Sequence, residues 1–133
     1  MNIASARFCA VVLVLGASCA GYAQTISAIA KVIPLASSGK DVTPVLTGPP
    51  ETATMKSGYV VLAPGKSVGK HSTEHNEELL VVFEGQGEMV FRDGSKVPVN
   101  ANTAVYCPPQ TEHNVTNTGS GALRYVYVVA HAQ

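Results

Sequence analysis

The chain has 133 residues, room for one domain. Hydrophobic residues make up 46% of it and charged residues only 14%, which excludes a disordered or fibrous protein. Lys plus Arg and Asp plus Glu number 9 each, with no basic cluster, so no nucleic-acid partner is expected.

Residues 1–23 read as a secretory signal peptide. Arg7 supplies the positive start, Phe8 to Leu15 the apolar run, and Gly21 and Ala23 the small residues before a cut ahead of Gln24. The run is shorter than the ~20 residues a membrane span needs, so no membrane attachment is expected after cleavage. The cut removes Arg7, Cys9 and Cys19, leaving 8 basic residues against 9 acidic ones and Cys107 as the one thiol. With no internal disulfide, stability must come from a packed core, helped by a metal or a partner chain. The expected compartment is the periplasm or the cell exterior.

Residues 24–50 read as an N-terminal arm with one or two short edge strands, interrupted by Pro34, Pro44, Pro49 and Pro50. No persistent 3.6-residue period appears there, so no long helix is expected. Residues 51–133 carry short strands with tight punctuation. Met55–Leu62 stops at Pro64-Gly65, Ser67–His71 is brief, and Leu79–Phe83 ends at Gly85. Glu88–Phe91 precedes the hairpin signal Asp93-Gly94. Val97–Val99, Thr103–Cys107, His113–Thr116 and Ala122–Ala130 follow. About eight strands at this spacing mean a sandwich or barrel, an all-β fold. In the last strand Leu123, Tyr125, Tyr127 and Val129 share one face and Arg124, Val126, Val128 and Ala130 the other. Both faces are largely apolar; one should line the core, and the other could meet the arm or another subunit.

The chemistry concentrates in one stretch. His71, Glu74, His75, Glu77 and Glu78 fall together, and His113 follows a Pro-rich turn. Imidazole and carboxylate together suit Zn, Fe, Mn, Ni or Cu. In a straight strand His71 and His75 would stand ~13 Å apart, so both reach one ion only if the chain bends. His71, His75, Glu78 and His113 are the ligand candidates. His75 has two alternatives, a donor behind the ligands or a loop residue in solvent. Glu74, Glu77 and His131 read as solvated. Cys107 reads as a small buried hydrophobe or, facing the ion, as a selector of softer metals. Thr73, Met89, Tyr106 and Gln110 join Cys107 as candidate pocket-lining residues. Asn117 reads as a turn residue bonding its own backbone. Asn114-Val115-Thr116 has the form of a glycosylation sequon beside His113.

These spacings resemble the two motifs of the cupin superfamily. The first runs Gly, five residues, His, one, His, three or four, Glu, six, Gly, and falls here on Gly65, His71, Thr73, Glu78 and Gly85. Thr73 stands where the family usually has its second histidine. The second runs Gly, five, Pro, one, Gly, two, His, three, Asn, and falls on Asn102, Pro108, Gln110, His113 and Asn117. Both of its glycines are replaced. The resemblance extends from about Met55 to Ala130 and implies a small antiparallel double-stranded β-helix, or jelly-roll barrel, with inward metal ligands. It further implies one divalent transition metal per chain, a small-molecule ligand and a homodimer. At Thr73 three outcomes stay open: an ion on His71, Glu78 and His113 alone, replacement of the missing ligand by His75, or a pocket without metal. A metal-dependent enzyme, oxidoreductase or dioxygenase among the candidates, would use Glu78 as ligand and proton acceptor. A non-catalytic ligand- or metal-binding module and a structural dimer are the alternatives. The family hosts many chemistries, so the fold does not select among them.

Overall fold

The computed structural model describes residues 28–132; the signal-peptide reading of 1–23 lies outside the described residues. Residues 28–41 carry no strand, and a Lys31–Glu51 ion pair ties this arm back to the body. Nine strands then follow among the described residues: β1 Val42–Thr47, β2 Lys56–Leu62, β3 His71–Ser72, β4 Asn76–Glu84, β5 Gln86–Phe91, β6 Lys96–Asn100, β7 Ala104–Cys107, β8 Glu112–Asn117 and β9 Leu123–His131. One sheet has the order β1-β2-β9-β4-β7 and the other β3-β8-β5-β6. Every strand pair is antiparallel. This is the all-β jelly-roll architecture that the motifs imply.

Alternation builds the core. In β4, Glu78, Leu80 and Val82 are buried while Leu79, Val81 and Phe83 are exposed, because successive side chains point to opposite faces. Leu62, Leu80, Met89, Val99, Val115 and Leu123 are fully buried between the sheets. β4 and β5 belong to different sheets and are separated only by Gly85. Its φ is +90°, and a Cβ there would lie 2.4 Å from the Ala122 carbonyl oxygen, so only glycine allows the chain to change sheets at that point.

The expected strand Ser67–His71 does not run unbroken. Ser67 makes a single bridge to Thr116, Gly69 then takes a φ of +90°, and pairing resumes only at His71–Ser72. Glycine's freedom, not hydrophobicity, decides this segment. The two replaced motif glycines left their conformation behind: Asn102 and Gln110 sit at φ 62° and 58°. Asparagine tolerates that left-handed region through its short polar side chain, whereas glutamine carries the Cβ penalty of ~1–2 kcal/mol.

Asn117 closes the barrel at β8. Its Oδ1 accepts from the Gly119 N–H at 2.9 Å, the local turn expected of it. Its Nδ2 donates to the Leu62 and Gly121 carbonyls, each at 2.8 Å. The side chain is buried, so Asn117→Ala takes the Nδ2 donor from the Leu62 and Gly121 carbonyls, while the Gly119 N–H keeps the Gln86 carbonyl at 3.1 Å. Each stranded buried group costs ~1–3 kcal/mol. We expect N117A to lose about 3 kcal/mol in denaturant unfolding; a loss below about 1 kcal/mol would show that water replaces these bonds.

Candidate metal centre

β3 and β8 place His71 directly opposite His113 in one sheet. Glu78 comes from β4 in the other sheet, on the inward face that it shares with Leu80 and Val82. The chain passes from β3 to β4 through a tight turn, with the Asn76 N–H donating to the Thr73 carbonyl at 2.9 Å and Glu74 at φ 49°. That turn is the bend the sequence requires for His71 and Glu78 to share a site.

One ligand atom from each of His71, Glu78 and His113 lies within 4.8 Å of the others. Glu78 Oε2 stands 3.1 Å from His113 Nε2 and 4.0 Å from His71 Nε2. The far nitrogen of each ring is engaged: His71 Nδ1 meets the Gly69 carbonyl at 3.0 Å and His113 Nδ1 the Thr111 carbonyl at 3.3 Å. A carbonyl only accepts, so both Nδ1 atoms carry a proton and both Nε2 atoms are left turned to Glu78, where His113 Nε2 donates to the carboxylate when the ring is protonated and either Nε2 offers a lone pair to an ion when it is not. Two imidazoles and a carboxylate converging from two sheets fit a first-row divalent ion. Burial opposes charge on the His113 ring, but the Glu78 hydrogen bond and charge, with the Thr111 carbonyl, together raise its pKa above 6.5.

The remaining candidates fall elsewhere. His75 is exposed on the turn; its Nδ1 lies 3.4 Å from Gln110 Nε2, and it is outside the three-residue cluster. Thr73 is buried and lies along the pocket, but its hydroxyl is committed: it donates to the Pro108 carbonyl at 2.8 Å and accepts from the Thr111 N–H at 3.0 Å. Gln110 is exposed, its N–H donating to the Glu74 carbonyl at 2.8 Å. Together these contacts latch the β3–β4 turn to the β7–β8 turn. Cys107 is fully buried, with Sγ 3.4 Å from His113 Nδ1, on the side of the ring turned away from Glu78. Burial, reinforced by the Glu78 charge, pushes its thiol up to about 11. Met89 packs in the core. Tyr106 is 56% exposed on the outer face, where its hydroxyl donates to Glu77 at 3.1 Å and that carboxylate raises its pKa. Asn114 Oδ1 is buried without a hydrogen-bond partner, a poor presentation for a sequon.

A cavity of about 320 Å³ opens from the cluster. Val60, Val68, Val115 and Val129 supply much of its wall, and Tyr125 and Tyr127 join them from β9. The sequence places both tyrosines on one face of the last strand with Leu123 and Val129, but leaves open which face lines the core and does not mark them as pocket residues; in β9 that face is the inward one.

Residues 58–129 match the cupin domain family, Cupin_2. An oxalate-binding protein of Thermotoga maritima is 35% identical over 69 residues, which are 51% of this chain and 55% of that protein. The chain thus spans about half the length of the curated relative it matches. Among solved structures, a cupin 2 conserved barrel domain protein from Salinispora arenicola is 27% identical with a TM-score of 0.59, over 76% of this chain and 82% of that one. An RmlC-like cupin family protein with a double-stranded β-helix fold from Methanocaldococcus jannaschii is 21% identical with a TM-score of 0.61, over 77% and 92% of the two chains; this second likeness concerns the fold alone.

Two outcomes follow from the geometry. Thr73→Val removes the hydroxyl while keeping the shape, and Thr73→Ser keeps the hydroxyl. Groups that orient ligands are typically worth 10–100-fold in metal affinity. We expect T73V to weaken metal binding by about tenfold, T73S to retain most of it and His75→Ala to leave it unchanged, all read by competitive chelator titration.

The second outcome concerns pH. In the metal-free protein the Glu78–His113 pair stabilises the fold fully below pH 6.5, the ordinary histidine value. That contribution fades as pH rises through the raised His113 pKa. An ion competes with the same proton, so metal affinity should climb across this window, and Glu78→Gln should move the climb to lower pH. Histidine NMR titration beside metal titration at each pH checks both statements.

Proposed function

The chain belongs to the cupin family, and we propose that it is a secreted, metal-dependent cupin acting on a small organic molecule. One observation carries this reading: three ligand atoms converge at the end of a cavity while the Thr73 hydroxyl, at the usual second-histidine position, is spent on Pro108 and Thr111. His71, Glu78 and His113 would hold one divalent Fe, Mn, Ni, Zn or Cu ion with positions left for a ligand from the cavity. Such an ion, when bound, supplies Lewis-acid or redox chemistry to an oxygen of the substrate.

The chain's own residues do the rest. His71 and His113 are held in orientation by the Gly69 and Thr111 carbonyls. Glu78, 7% exposed at the cavity floor, is the carboxylate positioned to take a proton from a bound substrate, so its role is catalytic as well as ligating. The valine walls give the cavity beside the cluster an apolar lining. Oxidation of a small molecule heads the reactions this arrangement serves.

A non-catalytic binding module is the second reading. The name of the Thermotoga maritima relative, an oxalate-binding protein, favours it. A homodimer also belongs to the proposal. Leu79, Val81 and Phe83 of β4 and Tyr106 of β7 stand 37–56% exposed on one outer face, and an apolar patch of this kind suits a subunit contact.

Elemental analysis of protein purified from its own compartment tests the metal. About one transition-metal ion per chain is expected, largely lost in His113→Ala. Wild type without metal and without affinity for added Fe, Mn, Ni, Zn or Cu would overturn both readings. Water-proton relaxation of the Mn-loaded protein then separates them: fast-exchanging inner water supports the enzyme, and a saturated ion supports the module.

A further inference from the structure

We propose that Tyr125 and Tyr127 form a ligand-reading pair, and that the cavity takes a chelating oxygen acid with an apolar body in preference to a small dianion such as oxalate. The proposal rests on the metal-dependent reading above and assigns the substrate class of the same site.

The two tyrosines stand two residues apart on the inward face of β9 and both line the cavity. Tyr125 is 2% exposed. A buried tyrosine normally finds a hydrogen-bond partner for its hydroxyl. Among the described residues, Tyr59 and Tyr106 have such partners through Arg124 and Glu77. The Tyr125 and Tyr127 hydroxyls have none, and neither is sealed away as an unsatisfied buried atom. They are therefore donors that face the cavity.

Tyr127 has a dedicated seat. Gly58 of β2 pairs with it, and a Cβ on Gly58 would lie 2.5 Å from Tyr127 Cε1 and 2.7 Å from its hydroxyl oxygen. The end of the phenol thus lies against bare backbone. Gly58 has no positive φ that would explain it otherwise. The glycine is there to seat the ring.

The rest of the wall sets the ligand's character. Val42, Val60, Val68, Val115 and Val129 line the cavity, and Lys70 is the one lysine or arginine that joins them. About 320 Å³ is at the lower end of small-molecule sites, yet more than oxalate fills. A dianion would leave the valines uncovered and bring its second charge towards the Glu78 carboxylate. A monoanionic chelating head on an aromatic or branched aliphatic body covers the valines, puts its oxygens at the histidines and offers an acceptor to the phenols.

Three probes test this on nickel-loaded protein by calorimetry: benzohydroxamate, acetohydroxamate and oxalate. The two hydroxamates share one chelating head and differ only in the body. Benzohydroxamate is expected to bind at least about tenfold tighter than acetohydroxamate, and tighter than oxalate. Tyr125→Phe and Tyr127→Phe should each weaken benzohydroxamate several-fold while metal content stays at the wild-type level. Gly58→Ala, which displaces Tyr127 without removing its hydroxyl, should do the same. The chain has no Trp and 5 Tyr, so a tyrosine absorbance difference on binding, reduced in Y125F and Y127F, reports the contact directly. Equal affinity for the two hydroxamates, a preference for oxalate, or Phe variants that bind like wild type would overturn the inference and leave the metal reading standing. A wild type that takes up no nickel would overturn the metal reading, and this assignment with it.

Discussion

The Thr73 hydroxyl bridges two turns that belong to different parts of the chain. It donates to Pro108 and accepts from Thr111, while the Thr73 N–H reaches the Thr111 carbonyl and the Gln110 N–H reaches that of Glu74. On one side of this latch stand His71 and Glu78; on the other stands His113. Nothing in the strand ladders alone requires Glu78 of one sheet to meet the histidines of the other. The latch fixes their separation, and it holds Glu74 and Gln110 in left-handed backbone conformations that cost free energy for residues with a Cβ. The residue that departs from the family's ligand pattern is thus the one that organises what remains of it.

The fold was legible because alternation is a strong signal in a barrel. Leu123, Tyr125, Tyr127 and Val129 share the inward face of β9 as their parity requires, and the Gly and Pro punctuation marks most strand ends. The convergence of His71, Glu78 and His113 was legible from spacing and motif together. What spacing could not supply was orientation. His75 shares parity with His71 in a straight strand, but the Thr73–Asn76 turn breaks that parity. Tyr106 and Cys107 were both named for the pocket, although adjacent strand residues point to opposite faces; Cys107 is inside and Tyr106 outside. The Tyr127 seat on Gly58 depends on cross-strand register, which no local pattern reveals.

The five-stranded sheet serves two purposes at once. Its inner face carries Glu78 and the tyrosines. Its outer face carries Leu79, Val81 and Phe83 in the same β4 strand. That double use explains why β4 reads as a continuous apolar run, Leu79 to Phe83, with Glu77 and Glu78 ahead of it. Glu78 is tolerated at 7% exposure because His113 sits 3.1 Å away; a buried carboxylate without such a partner would be strongly disfavoured. Site and core are therefore coupled, and a change at His113 is felt by the packing as well as by the chemistry.

The single described thiol, Cys107, gives this arrangement a built-in clock. Its sulfur is sealed between β7 and the His113 ring and resists deprotonation, so a thiol reagent meets it only after β7 swings away from β4. The speed at which the folded protein takes up such a label therefore measures how often the wall behind the histidine breathes, and an ion that clamps His113 to Glu78 would slow it.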